Sequence, residues 1–374
     1  MKVSIRYRCW WITSESTRAE KLRNSFKAPT RSGKFIMLGE KPMVTIRDVA
    51  NEADVAISTV SNVLNGVDVV SEQTKKKVLE AVEKLKYVPN MNAKFLKSNK
   101  KNTVGLFLSS IQGDFYRMLT QAVHLQCKMK GYLLNIYVSN ENTSEEIYGM
   151  IISSGVEGAI VFNERLQDEY VERIALTKMP MVFIDREFSG ENMSSVIINN
   201  LEGGTTAMEY LIRQGHRRIG YIHGIKNIDD ELRYQAYQNV LKKYSLPIDN
   251  SIILRGYFEE ALAYSEMRVL LLKGIQLPDA FFCANDEMAW GCIHALTEAG
   301  IKVPDQVSVI GFDDISLSAY YTPALTTIHS PVTELGSASA TELLRLIESD
   351  NESPGTVTHL SPSLIVRDTC KVRI

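Results

Sequence analysis

The stretch that decides the fold is Thr45-Ile46-Arg47-Asp48-Val49-Ala50-Asn51-Glu52-Ala53-Asp54-Val55-Ala56-Ile57-Ser58-Thr59-Val60-Ser61-Asn62-Val63-Leu64-Asn65. Ile46, Val49, Ala50 and Ala53 recur at helical spacing, and Val60, Val63 and Leu64 do so again. Ala53-Asp54-Val55 lies between the two runs and leaves room only for a sharp turn. Thr45 is placed to cap the first helix, with Asp48 three residues on as the capping-box acid. Two short helices joined this way match a helix-turn-helix, whose second helix enters the major groove of DNA. That helix presents Ile57, Ser58, Thr59, Ser61 and Asn62 outward, small and polar enough to meet base edges and phosphates. A helical hairpin buried in a core fits the same pattern, so the choice rests on the flanking chain.

Downstream, Ser71 caps a run from Glu72 to Lys86 with Val78, Leu79, Val82 and Leu85 on one face. A third helix packed across the first two completes a head over 43–89. Pro89 breaks it. Asn90-Met91-Asn92-Ala93-Lys94-Phe95-Leu96-Lys97 then carries a two-turn helical pattern too short to be stable alone in water. A polar linker runs on to 101, so 90–101 reads as a hinge helix and linker. Upstream, residues 1–42 lack sustained periodicity, and arginines interrupt any signal-peptide core. They read as an unstructured extension: either a basic tail, or a stretch ahead of the true start at Met43, since Gly39-Glu40 can be encoded GGA-GAA, a ribosome-binding sequence.

The chain of 374 residues is long enough for two or three domains, and its hydrophobic fraction of 45% supports real cores. The net charge of −2 hides an asymmetry: +7 over residues 1–42 (10 basic, 3 acidic), +3 over 43–101 (10 and 7) and −12 over 102–374 (22 and 34). A basic head on an acidic body suits phosphate neutralisation by clustered charge. The 5 cysteines and 6 histidines are scattered, which points to reduced thiols in a cytoplasmic protein and to no metal cluster or other cofactor. No run reaches the length of a membrane span.

Residues 102–374 contain two similar units of alternating strands and helices. Asn102–Leu108, Tyr132–Val138, Gly158–Phe162 and Met181–Ile184 form strands of the first. Arg217–Ile222, Ile252–Leu254, Ala280–Ala284 and Val307–Phe312 form those of the second. Helices are expected around 116–130, 232–244, 288–299 and 334–347. Continuous apolar strands imply parallel sheets covered on both faces, hence two doubly wound subdomains. Ligands of such sheets bind beyond the carboxyl ends of the strands. Phe115, Tyr116, Asp185, Arg186, Arg233, Phe258, Asn285 and Asp313 stand there. Carboxylates, a guanidinium and aromatic rings together suit a sugar-type effector, although each residue alone also fits a cap or turn.

Val44-Thr45-Ile46-Arg47-Asp48-Val49-Ala50, Thr59-Val60-Ser61-Asn62-Val63-Leu64-Asn65 and Tyr87-Val88-Pro89-Asn90, in this order and spacing, resemble the LacI/GalR family of bacterial transcription regulators. The resemblance runs from Met43 through the body. It implies a helix-turn-helix head followed by an α/β body like periplasmic binding proteins. It implies a homodimer on a pseudo-palindromic double-stranded DNA operator, a repressor governed by a small-molecule effector, and nucleoid association when bound to DNA. By position, Thr45, Ile57, Ser58, Thr59, Ser61, Asn62 and Asn65 become DNA contacts, with Ile57, Ser58 and Asn62 reading bases. Ala93, Lys94 and Leu96 become hinge-helix contacts, Leu96 wedging between base pairs; a solvent-exposed leucine on a frayed linker is the plainer reading. The N-subdomain would comprise about 102–198 and 329–356, the C-subdomain about 199–328 and 357–374, with Pro323–Ile328 crossing back to the first. Two departures stand out: Ala56 removes a capping side chain common in the family, and Ile57 offers a base only an apolar contact. Catabolite control by a phosphorylated carrier protein is the alternative within the family. A transport protein accounts for the body alone, and an enzyme lacks its motifs: GxSxG, GxxxxGK[ST] and GxGxxG are absent.

Overall fold

The computed structural model describes residues 44–64, 66–67, 69–88, 102–139, 142–184, 186–349 and 353–373. The amino-terminal unit holds three helices: α1 (Ile46–Ala53), α2 (Ile57–Leu64) and α3 (Glu72–Leu85). Asp54 takes the left-handed conformation (φ 51°), and the Val55 N–H returns to the Ala50 carbonyl at 3.0 Å. A short polar side chain tolerates this geometry best. At the start of α1 the Asp48 carboxylate accepts both the Thr45 N–H (2.8 Å) and its hydroxyl (2.7 Å). Ser71 caps α3 by accepting the Thr74 N–H at 3.3 Å. The three helices close over Val49, Ala50, Ala53, Val60, Val63, Val78 and Ala81. Val49, Val60 and Val78 are 0% exposed, and burying each contributes about 1.5–3 kcal/mol. These few side chains hold the head, because the Lys84–Glu52 pair at 2.6 Å is largely solvated and worth roughly 1 kcal/mol at most.

The second unit contains two six-stranded sheets of matching order. In the first lobe, β1 (Thr103–Leu108), β2 (Leu133–Val138), β3 (Gly158–Phe162), β4 (Met181–Phe183), β5 (Met193–Ile198) and β11 (Val357–Leu360) run in the order β11-β5-β4-β3-β1-β2, all parallel. In the second lobe, β6 (Ile219–His223), β7 (Ile253–Arg255), β8 (Ala280–Cys283), β9 (Ser308–Asp313), β10 (Thr326–His329) and β12 (Ser363–Ile365) run β12-β10-β9-β8-β6-β7, with β12 antiparallel. Helices α4 (Asp114–Met129), α5 (Ser144–Ser153), α6 (Asp168–Ala175) and α11 (Val332–Glu348) belong to the first lobe. Helices α7 (Asn200–Arg213), α8 (Ile228–Lys243), α9 (Glu260–Leu272) and α10 (Asp286–Glu298) belong to the second. The central strands are apolar because helices cover both faces. β1, β3 and β8 are buried over almost their whole length, whereas the edge strand β2 is exposed at four of its six positions.

The chain passes between lobes after β5, after β10 and after β11. Two boundaries therefore differ from the sequence reading. Thr326–His329 is still a strand of the second sheet, paired with Ile310–Asp313, so Pro323–Ile328 does not cross back; the crossing follows His329. Val357–Leu360 pairs with Ser195–Ile198 in the first sheet, so the last return begins after Leu360 and not at 357. Ladder pairing settled both cases: Thr326–His329 is a buried interior strand of the second sheet, and Val357–Leu360 is a short, largely exposed edge strand of the first.

Candidate functional site

In the head, α2 exposes Ile57 (37%) and Ser58, while Thr59, Ser61 and Asn62 are half-buried beside them. Thr45 is exposed at the start of α1. Ala56 occupies the position before α2: its carbonyl accepts from Thr59 (2.9 Å) and Val60 (3.2 Å), and its methyl caps nothing. The helix thus begins with backbone N–H groups that no cap side chain satisfies, at the end where the helix dipole favours phosphate. Asn65, Ala93, Lys94, Leu96 and Asp185 lie outside the described residues.

In the body, both sheets reverse their winding direction beside one strand: β1 lies between β2 and β3, and β6 between β7 and β8. Loops leaving neighbouring strands diverge there and open a crevice at the carboxyl ends. In the second lobe the crevice gathers Arg233, Asp313, Asn285 and Phe258. Arg233, from the second turn of α8, is buried. Its Nε donates to Asn200 Oδ1 at 2.8 Å, one Nη to the Ala284 carbonyl, and the other to Asp313 Oδ1 at 3.4 Å. Its guanidinium lies 3.7 Å above the Phe312 ring. These bonds engage three of the five N–H groups of a guanidinium. Asn285 caps α10 by accepting the Met288 N–H (2.9 Å) and donates to the Phe258 carbonyl at 3.3 Å. The Phe258 ring covers Gly224 so closely that a Cβ there would stand 2.2 Å from it. Only glycine permits that approach.

Asp313 ends β9 with φ 106° and Asp314 follows with φ 52°. Two successive positive φ values outside glycine carry strain of about 1–3 kcal/mol each. The kink sends the two carboxylates apart. Asp313 faces Arg233 and accepts the Ser330 hydroxyl at 3.1 Å, whereas Asp314 holds His329 (3.0 Å) and Arg367 (2.6 Å). Burial pushes the Asp313 carboxyl above its ordinary value, although Arg233 and Ser330 pull the other way. Beside it, Asp286 is fully buried and accepts the Ile315 N–H (3.0 Å) and the hydroxyls of Ser318 (2.6 Å) and Thr327 (2.5 Å). Burial lifts its pKa to about 8 against those three donors. It fixes the loop after β9 to α10.

On the first lobe, Phe115 and Tyr116 open α4 and both lean on Phe162 at 5.5 and 5.6 Å; the Tyr116 hydroxyl meets Ser109 Oγ at 3.2 Å. Arg186 is turned to its own lobe, donating to the carbonyls of Leu166 (2.5 Å) and Asn163 (2.9 Å) and to Asp168 (3.2 Å). Sequence reading passed over Asn163, which is 0% exposed and donates to Ser139 Oγ at 2.8 Å. It also passed over His223, whose Nδ1 meets Asp230 at 2.7 Å. Both directly close or follow apolar strands, and that placement was the available signal.

Residues 45–90 match the family described as bacterial regulatory proteins, lacI family, and residues 208–370 match the periplasmic binding protein-like domain. The chain is 33% identical over 337 residues to the HTH-type transcriptional repressor PurR of Pasteurella multocida (strain Pm70), covering 89% of this chain and 100% of that one. The lac repressor dimer bound to operator and the anti-inducer ONPF superposes with a TM-score of 0.75 at 27% identity, covering 88% of this chain and 99% of its own. The transcriptional regulator CelR–cellobiose complex gives 0.65 at 27% identity over 87% and 99%. With a three-helix head and a two-lobed α/β body, the chain belongs to the lacI family of bacterial regulatory proteins, a DNA-binding transcriptional repressor and not an enzyme.

Proposed function

We propose that the crevice between the lobes takes a small hydroxylated effector of the sugar class, and that its occupancy sets the affinity of a homodimer for a pseudo-palindromic operator. The observation that carries this reading is the connected set Arg233–Asp313–Asn285–Phe258: a guanidinium with N–H groups to spare, a carboxylate, an amide and a ring face. Sugars offer alternating hydroxyls to such groups and an apolar face to a ring. The cellobiose complex of CelR agrees with this chemistry. Phe115 and Tyr116 would close on the ligand from the first lobe, and Asp185 stays a proposed contact from the sequence pattern, whereas Arg186 is spent on Leu166, Asn163 and Asp168. In the head, Ile57, Ser58 and Asn62 would read bases while Thr45, Thr59, Ser61 and Asn65 hold phosphates. Ala93, Lys94 and Leu96 would engage the minor groove.

The dimer face we assign is the free edge of the first sheet. Leu133, Ile136 and Val138 of β2 are 49%, 46% and 40% exposed, beside Leu125 and Met129 of α4. In the second lobe, Trp290 stacks on Tyr321 at 3.8 Å and buries an indole N–H that has no acceptor among the described residues. Tyr320 and Leu317 stand exposed in the same loop as Tyr321. An apolar edge strand is a feature a second copy would cover.

The test is a thermal-shift screen of the full chain against neutral sugars, sugar acids, nucleosides and purine bases. A ligand at one hundred times its Kd stabilises by about 2.7 kcal/mol. One sugar should raise the melting temperature, and Asp313→Asn should remove that response. A shift confined to purines or nucleosides would replace the sugar reading.

A further inference from the structure

Four residues outside the ligand set tie the lobes together. Asp114, the first residue of α4 in the first lobe, accepts the backbone N–H of Ser316 in the second at 2.7 Å. Arg117, one turn along α4, pairs with Asp114 at 2.6 Å and donates to the Ser316 hydroxyl at 3.1 Å. From the second lobe, the Glu287 carboxylate in the first turn of α10 draws on the Asp114 N–H. It lies so near the chain that a Cβ on Gly113 would stand 2.7 Å from its Oε1. Gly113 has φ 87°, so the backbone that delivers Asp114 needs a glycine for its conformation.

The partners are held rigidly on both sides. Ser316 begins the short helical turn Ser316–Ala319, and Asp286 anchors that turn to α10 through Ile315 and Ser318. Each latch residue is also a near chain neighbour of a ligand-facing one: Asp114 of Phe115, Glu287 of Asn285, Ser316 of Asp313. A ligand that moves either wall of the crevice therefore moves one half of this contact against the other.

We propose that Gly113–Asp114–Arg117 and Ser316–Glu287 form a polar latch between the lobes, and that making or breaking it sets the operator affinity of the ligand-free repressor. The inference rests on the repressor assignment and not on the identity of the effector. Burial works against the charge of Asp114, but the bonds from Arg117 and Ser316 outweigh it and hold its carboxyl below the ordinary value. The carboxylate is thus ionised and the bonds charge-assisted, the stronger kind.

Ser316→Pro removes both bonds that Ser316 brings to the latch, with little local damage. Ile315 sits at φ −63°, ψ 158°, the extended geometry favoured before proline, and the first position of a helical turn tolerates the missing N–H. Amide exchange and binding to a duplex selected from a random library by the wild-type chain are measured on the full-length protein without added effector. The expected result is exchange about tenfold faster over 113–117 in Ser316→Pro, with β8 unchanged. Operator affinity should change at least about fivefold in either direction, and Asp114→Ala should reproduce that change. Unaltered exchange in both variants would overturn the contact; altered exchange with unaltered operator affinity would overturn its control of DNA binding. If the wild-type chain selects no duplex, the repressor assignment fails, and the exchange comparison still judges the contact.

Discussion

At the scale of the residue, Asp286 shows how far chemistry can hide inside a recognisable pattern. Asn285-Asp286 reads as a polar pair at a strand end, and sequence assigned the ligand role to Asn285. Asp286 points inward to Ile315, Ser318 and Thr327 with no exposure. Replacing it with alanine strands three donors in the core and should lower stability by about 3 kcal/mol in urea titrations. Asp286→Asn keeps an acceptor for Ile315 and Ser318 and turns its amide toward Thr327, whose hydroxyl can rotate to accept. The pH dependence follows with its sign. The folded pKa of about 8 lies above the ordinary 3.8, so the folded chain holds the extra proton. That contribution is fully present below about pH 3.8 and is lost as pH rises toward 8, at about 1.4 kcal/mol per unit. Urea midpoints of the wild type should therefore fall between pH 5 and 8 more steeply than those of Asp286→Asn; parallel profiles would exclude Asp286 as the source.

Elements were legible where one face repeats. Val49, Val60 and Val78 mark the core of the head, and the buried runs of β1, β3 and β8 announced parallel strands from composition alone. β5 (Met193–Ile198) and the edge strand β11 were not legible, because Met193-Ser194-Ser195 breaks the apolar run and Val357–Leu360 is short, with no position buried. The ligand set was legible only as a collection of strand ends. What joined Arg233 to Asp313 and Asn285 was the pairing order of β6, β8 and β9, which no local pattern encodes. Helix α2 carries the prediction at this scale. With Ala56 ahead of it, the first turn lacks a cap, so Ala56→Ser should stabilise the head by about 1 kcal/mol. Slower amide exchange at Val60 and Val63, with the body unchanged, would register the gain. If a bare helix start also serves as the phosphate seat, the added hydroxyl should alter affinity for all duplexes alike and leave sequence preference untouched.

At the scale of the molecule, the head offers little surface to an operator, because its first two helices are eight residues each. On the proposed reading, Ile57, Ser58 and Asn62 of α2 meet a few base pairs, and the apolar Ile57 can make no hydrogen bond to a base. In the proposed homodimer, affinity comes from two heads joined through the body, where the second binding event becomes intramolecular. The exposed edge of β2 is the place to sever them. Ile136 is 46% exposed in the monomer, so Ile136→Lys adds a charge at no folding cost while water reaches it. In a dimer that covers the edge, the same ammonium loses its water and finds no partner among Leu133, Val138, Leu125 and Met129. The variant should therefore melt like the wild type yet run as a monomer at micromolar concentration in mass photometry. Its affinity for the selected duplex should drop by about 10²-fold or more as the linked second head is lost. A stable Ile136→Lys dimer with wild-type operator affinity would move the interface off β2, leaving the face around Trp290, Tyr320 and Tyr321 as the surface on which two copies meet.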